Sequence, residues 1–378
     1  MRIEQRLWTT AREWDHSEAL SLSLAANLVF VFGSGAALRD PGPLERLKAD
    51  YPTAHVIGCS TAGEIHGTRV LDDTLAATAI QFEQTELRSA RTELGGQDGS
   101  YSAGRRLARA LHSSDLVHVV VLSEGLHVNG GELTRGLAEA LPPGVAVTGG
   151  LSADGSRFEQ TYVLLDGPPQ QNTVVAIGFY GNHLRVGFAS RGGWEPFGPE
   201  RLVTRSQSNV LHELDGASAL GLYEKFLGAY ASELPASGLM FPLSVRTDDP
   251  TRGVVRTILG IDRGQQTMTF AGDIREGSYA RLMRASTDRL VAGAAAAAGD
   301  CCEPFPDSPQ FALLVSCVGR RLVMKQRVEE ELDAIREVFG PGTKLAGFYS
   351  YGEIAPFCKG EQPELHNQTM TITGFWEN

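Results

Sequence analysis

Cysteine is scarce in this chain, and its pattern is uninformative for cross-linking. Five cysteines (Cys59, Cys301, Cys302, Cys317, Cys358) among 378 residues are an odd number without C-x-x-C spacing. That argues against a disulfide framework or a zinc site. Long apolar runs are also missing. None approaches the roughly 18 residues that cross a bilayer, and the most apolar long stretch, 290–299, reads as an alanine-rich helix end. The first 20 residues mix Arg, Glu, Asp, His and Trp, with no apolar core of a secretion signal. Positive charge is in deficit: 34 Lys and Arg face 45 Asp and Glu, for a net charge of -11. No bulk field then draws nucleic acid or an anionic membrane. The chain carries no G-x-S-x-G elbow, H-E-x-x-H pair, phosphate loop or G-x-G-x-x-G turn. A non-enzymatic, cytoplasmic protein is expected; the catalytic alternative is a Cys-dependent hydrolase using Cys317 with His366.

What is present is a repeat. Gly58-Cys59-Ser60-Thr61-Ala62-Gly63-Glu64-Ile65 returns as Gly347-Phe348-Tyr349-Ser350-Tyr351-Gly352-Glu353-Ile354, both G-x-x-x-x-G-E-I. Each follows an apolar run and a helix-like stretch: Leu28 to Phe32 in one case, Phe311 to Val315 with Val328, Leu332, Ile335 and Phe339 in the other. A degenerate middle copy runs from Leu116 through Leu133, Leu137 and Leu141 to the glycine loop Val145 to Gly155. Such periodic self-similarity marks a duplicated unit, and strand, helix, strand in that order make a right-handed βαβ crossover. The fold class predicted is α/β with mixed sheets. Its two domains are built from repeated β-α-β-loop-β units, with a ligand cleft between or beside them. The expected division is an N-terminal helical segment at 1–25, a domain with two copies at 26–212, and a domain at 213–378. The second domain opens with an amphipathic helix over 215–228, continues with strands over 251–274 and a long helix over 278–298, and ends with the third copy.

The G-E-I loops, Ser190-Arg191-Gly192-Gly193-Trp194, Tyr223 to Gly228, Ser316-Cys317-Val318-Gly319-Arg320 and His366-Asn367-Gln368-Thr369-Met370-Thr371 resemble the FIST family of bacterial sensory proteins. The resemblance covers most of the chain, from about residue 26 onward. It implies a domain that senses small molecules and signals to kinases, cyclases or chemotaxis proteins. With no output domain expected, the chain looks like the NosP type, described as haem-containing nitric oxide sensors acting on a partner histidine kinase. Haem b is the cofactor this implies. One departure stands out: Phe188 lies where relatives are expected to carry histidine.

Candidate ligand-binding residues are Ser60, Thr61 and Glu64 in the first loop and Tyr351 and Glu353 in the second. Each glutamate either faces a cleft or caps its own loop. Cys317 and Arg320 end a strand, where α/β folds bind ligands. Arg320 could grip a carboxylate, or be solvated; Cys317 could be a thiolate, or inert core. Arg191 and Trp194 offer a clamp and a flat wall, and His366 and Asn367 begin the last strand. A haem needs an accessible imidazole in an apolar slot, and the axial candidates are His127, His183, His212 and His366. The partners expected are a small-molecule ligand, either haem with nitric oxide or an amino acid or similar metabolite, and a histidine kinase or other signalling protein. A homodimer is compatible with the sequence.

Overall fold

The computed structural model describes all residues except 16–20, 96–98, 247–252, 304 and 358; Cys358 and His16 fall outside the described residues. In chain order the repeated strands are β1 (Arg2–Thr9), β2 (Leu28–Gly33), β3 (His55–Ser60), β4 (Glu64–His66) and β5 (Leu75–Gln81) in the first copy. The second copy holds β6 (Glu86–Glu93), β7 (Leu116–Ser123), β8 (Ala146–Leu151), β9 (Val163–Leu165) and β10 (Thr173–Tyr180). The third holds β11 (Leu184–Arg191), β12 (Phe311–Cys317), β13 (Lys344–Ser350), β14 (Gly352–Pro356) and β15 (Met370–Glu377).

Each copy builds its sheet the same way. β2/β3, β7/β8 and β12/β13 are parallel pairs in matching register: Val31 opposite Gly58, Val121 opposite Gly149, Leu314 opposite Gly347. A Cβ at any of these three glycines would lie 1.8–1.9 Å from the partner strand's carbonyl oxygen, so only glycine allows the approach. β5, β10 and β15 run antiparallel to the first strand of each pair, and β1, β6 and β11 flank them.

The sheets are completed by exchange. β9 of copy two pairs with β3 of copy one, β14 of copy three with β8 of copy two, and β4 of copy one with β13 of copy three. The loops repeat this cycle: Ala153 donates its N–H to Ser60, Ala62 to Tyr349, and Tyr351 to Leu151. The three copies thus form a closed, pseudo-threefold ring.

The central strands are buried on both faces, which is why they read as unbroken apolar runs. Phe30, Phe32, Val120, Leu122, Phe311, Leu313 and Val315 point inward to one shared core. Rings from different copies meet there, with Phe30 and Phe311 5.9 Å apart and Phe32 and Phe348 4.8 Å apart. The outer faces are covered by helices Gly99–Leu111 and Gly130–Ala140 on copy two, and Thr287–Cys302 and Glu329–Phe339 on copy three. Pro41–Asp50 covers copy one.

Residues 192–286 are inserted between β11 and the helix Thr287–Cys302. Their described residues form an antiparallel nine-stranded sheet with its own core around Leu211, Tyr223, Met268 and Phe270. Positions 212 and 213, the expected domain division, both lie in one strand of this sheet, Val210–Leu214.

Two expected helices are corrected. Residues 2–9 are a strand, because β5 offers a free edge that β1 pairs from Arg2–Gln81 to Trp8–Leu75, and tertiary pairing overrides local propensity. The long helix begins at Thr287, where Ser286 caps it by accepting from Arg289 N–H. Tyr279–Arg284 is a strand paired with Leu243–Arg246.

Candidate functional site

The two G-E-I glutamates do the same structural work in their own copies. Thr61 donates to Glu64 at 2.6 Å and Thr74 donates its hydroxyl at 2.8 Å. Ser350 donates to Glu353 at 2.6 Å, and Thr369 donates its hydroxyl at 2.9 Å and its N–H at 3.1 Å. Both carboxyls are buried. Desolvation pushes Glu64 up to about 7 and Glu353 up to about 8, partly offset by the hydroxyl donors. In the strand exchange, Glu64 sits opposite Phe348, Glu353 opposite Gly150 and Val163 opposite Cys59. Val163 therefore takes the glutamate's place in copy two, and the hydroxyl of Ser152, equivalent to Thr61 and Ser350, is buried without a partner among the described residues. Gly63 takes a φ of +133° as expected, but Gly352 is absent from the positive-φ region; a Cβ there would meet the Leu365 side-chain methyl at 2.9 Å. Ser60 accepts from Tyr162 N–H at 2.9 Å.

Arg320 has no exposed surface. It donates to Glu331 at 2.6 and 3.2 Å, to Leu290 O at 2.9 Å and to Gly192 O at 2.5 Å. Each of its three nitrogens donates and its charge is paired with Glu331, so it holds helix Glu329–Phe339 to the inserted segment rather than awaiting an anion. Cys317 is buried, and desolvation pushes its thiol well above the usual range, the opposite of what an activated thiolate needs. Arg191 pairs with Asp300 at the surface. Tyr351 bonds the Asp154 carboxylate and stacks on Phe158 at 4.4 Å.

The remaining residues converge at a seam between the inserted sheet and copy three. Trp194 Nε1 donates to Gln368 O at 2.7 Å. Gln368 Nε2 reaches Leu239 O of the inserted segment at 3.3 Å, while its Oε1 is buried with no partner among the described residues. Asn367 is 1% exposed, and neither its Oδ1 nor its Nδ2 has a partner among the described residues. Across the seam, Arg256 donates to Leu365 O at 2.9 Å, and the Oγ1 of its neighbour Thr257 is also buried and unpartnered. Ile258 then packs on Gly238, next to Leu239. Arg256 thus reaches the backbone two residues before Asn367. Leaving a buried polar group unpaired costs about 1–3 kcal/mol, and a cluster of them marks a place where a polar partner is missing.

The expected residues Trp194, Cys317, Arg320, Glu353, His366 and Asn367 lie at or next to this seam, whereas Ser60, Thr61, Glu64, Arg191 and Tyr351 lie elsewhere. Arg256, Thr257 and Gln368 were not anticipated. The motif His366-Asn367-Gln368-Thr369 pointed to Gln368. Nothing local in the strand around Arg256 separates it from any other surface-alternating arginine.

The four axial candidates do not fit a haem. His183 and His127 are exposed, the latter with Nδ1 3.3 Å from Glu124. His212 lies half-buried in the strand Val210–Leu214. His366 is buried with Nε2 2.9 Å from Ala355 O, and desolvation lowers its pKa to about 4. None offers a free imidazole to an apolar slot. An apolar hollow in the inserted sheet, lined by Phe197, Leu222, Tyr223, Phe226 and Met268, contains no histidine. Phe188, where histidine was expected, lies 6.4 Å from the ring of buried His118.

Among the described residues no helix is long and apolar enough to cross a membrane. The uncharacterized protein MJ1623 of Methanocaldococcus jannaschii is 23% identical over 280 residues, 65% of this chain, and the chain spans about half (51%) of that relative's length. A solved structure, cyanuric acid hydrolase from A. caulinodans, aligns over 100% of this chain and 99% of its own at 9% identity; its TM-score of 0.31 carries no argument. The FIST N domain is matched over residues 27–217 and the FIST C domain over residues 219–356. The chain belongs to the FIST family, whose domains are small-ligand sensors in signalling.

Proposed function

We propose that this protein senses a small polar metabolite held in the seam between the inserted sheet and copy three, and that it acts without catalysis. The observation that carries the reading is the Asn367 side chain, buried with neither amide atom partnered. A ligand donating to Oδ1 and accepting from Nδ2 would satisfy both. Arg256 of the inserted sheet donates to Leu365 O, two residues before Asn367 in copy three, so a ligand at Asn367 would sit where the two bodies meet. A ligand that binds one relative arrangement of the two better than another shifts their populations. That shift is a signal that a cytoplasmic partner, such as a histidine kinase, could read. The burial of Cys317 and its raised pKa weigh against the hydrolase alternative.

The test is a thermal-shift screen of the whole protein with amino acids and small metabolites, run beside an Asn367→Leu variant. Ligand at a hundred times its Kd should stabilise the wild type by about 2.7 kcal/mol. The variant should lose that response while keeping its own cooperative melt. A response undiminished by Asn367→Leu would move the ligand elsewhere.

The more specific reading, a haem-based nitric oxide sensor, is supported by the family resemblance and opposed by the surroundings of the four imidazoles. A hemin titration separates them. A sharp Soret band saturating at one haem per chain and shifting with nitric oxide would restore the haem reading; a broad, non-saturating band would end it.

A further inference from the structure

Three buried arginines of this chain invite comparison. Arg6 pairs with Asp50 at 2.7 Å and Arg320 with Glu331 at 2.6 Å. Arg256 is 9% exposed, yet no carboxylate lies within 4.0 Å of it among the described residues. It donates only to two carbonyls, Leu365 O at 2.9 Å and Asp273 O at 3.3 Å. A guanidinium carries five N–H donors, so much of its fork is unused by acids. The acids that act on it do so at longer range: Asp273 takes the Ser208 hydroxyl at 3.1 Å, and Glu364 is exposed. A charge removed from water without a counter-charge is strongly unfavourable unless something pairs it. The chain is thinned to admit the group, since a Cβ at Gly272 would lie 2.9 Å from Arg256 Nε. His366 does not compete for the position, being engaged with Ala355 O.

Building on the seam reading above, we infer that Arg256 is the anchor for a small organic carboxylate, whose neutral end meets the Asn367 amide. Arginine's planar fork matches a carboxylate with two parallel bonds. Two residues beyond the Leu365 acceptor of Arg256, Asn367 presents a primary amide without a partner among the described residues, which serves a polar, uncharged remainder. Arg275 adds a second positive charge that acts on Arg256 from a distance, so a dianion competes for the same anchor, and the phosphate probe below tests it. Within the seam, charge is thus read from the inserted sheet and the neutral part from copy three.

The experiment compares matched pairs on the full chain: L-amino acids and C2–C5 mono- and dicarboxylates, each beside its methyl ester, with inorganic phosphate as a further probe. Melting temperature and calorimetric affinity are read for wild type, Arg256→Met, Arg256→Lys and Asn367→Leu. The assignment expects at least one carboxylate to bind, its ester to bind about tenfold or more weakly, and Arg256→Met to abolish the difference. Arg256→Lys should retain part of it, and Arg256→Met without ligand should melt no lower than wild type. An acid and its ester binding equally, both weakened by Asn367→Leu, would overturn the carboxylate anchor and leave the seam reading standing. Binding insensitive to both Asn367→Leu and Arg256→Met would overturn the two together. Phosphate binding in preference to every carboxylate would overturn the ligand class. If no probe binds and Arg256→Met melts far below wild type, Arg256 is a structural residue and the inference fails.

Discussion

At the scale of single residues, burial decides what each polar group can do. Glu64 and Glu353 look alike in sequence and behave alike in the fold, as acids held by hydroxyl donors and raised to about 7 and about 8. Their pKa values in the unfolded chain lie near 4.3. The folded protein therefore keeps both protons over a range where the unfolded chain has lost them. Their contribution is fully present below about pH 4.3 and is lost as pH rises through the folded values. Chemical denaturation from pH 5 to pH 8 should show stability falling, by up to about 1.4 kcal/mol per pH unit for each group titrating. Glu353→Gln, which keeps the shape and removes the titration, should flatten that slope by one group's share; an unchanged slope would mean Glu353 stays ionised in the fold. The same scale explains why sequence assigned the anion clamp to Arg320. A strand-end arginine after Ser316-Cys317 is well placed for a ligand, but Glu331 approaches from the next helix, and no local pattern announces that.

At the scale of elements, the glycines at the start of each loop set the geometry. Gly58, Gly149 and Gly347 occupy one register in three copies. The partner-strand carbonyl is rigid backbone and cannot swing aside as a side chain would. Gly347→Ala should separate β12 from β13 locally and cost about 3 kcal/mol, read as a lowered denaturation midpoint. A loss below about 1 kcal/mol would show that the strand pair can widen cheaply. Element identity was most legible where apolar runs were long: β2, β7 and β12 were all anticipated. It failed for β1 and for Tyr279–Arg284, whose strand state comes from an edge supplied by a distant segment.

At the scale of the whole molecule, the exchange of β4, β9 and β14 makes the three copies interdependent. Residues 1–182 contain two complete sequence repeats, yet in isolation β8 would lack β14 and β4 would lack β13. The inward face of Phe30, Phe32 and Leu122 would also lose the cover of Phe311, Phe348 and Phe375. Expressed alone, this fragment should show no cooperative thermal transition by circular dichroism and should be digested rapidly by protease. A sharp transition would mean that the first two copies fold as a unit.

The sequence by itself determined the repeat, the parallel strand pairs, the G-E-I loops and the family, because these are written in local spacing and in residues a few positions apart. It also singled out His366 and Asn367 through their motif. Tertiary structure decided the rest. It closed the copies into a ring by exchanging strands, engaged Arg320 with Glu331 and left Arg256 without a counter-ion. It also brought Arg256 to the backbone of Leu365, beside Asn367, from 109 residues away. Which buried charge is paired depends on the distance to groups far along the chain, and that distance exists only once the chain has folded.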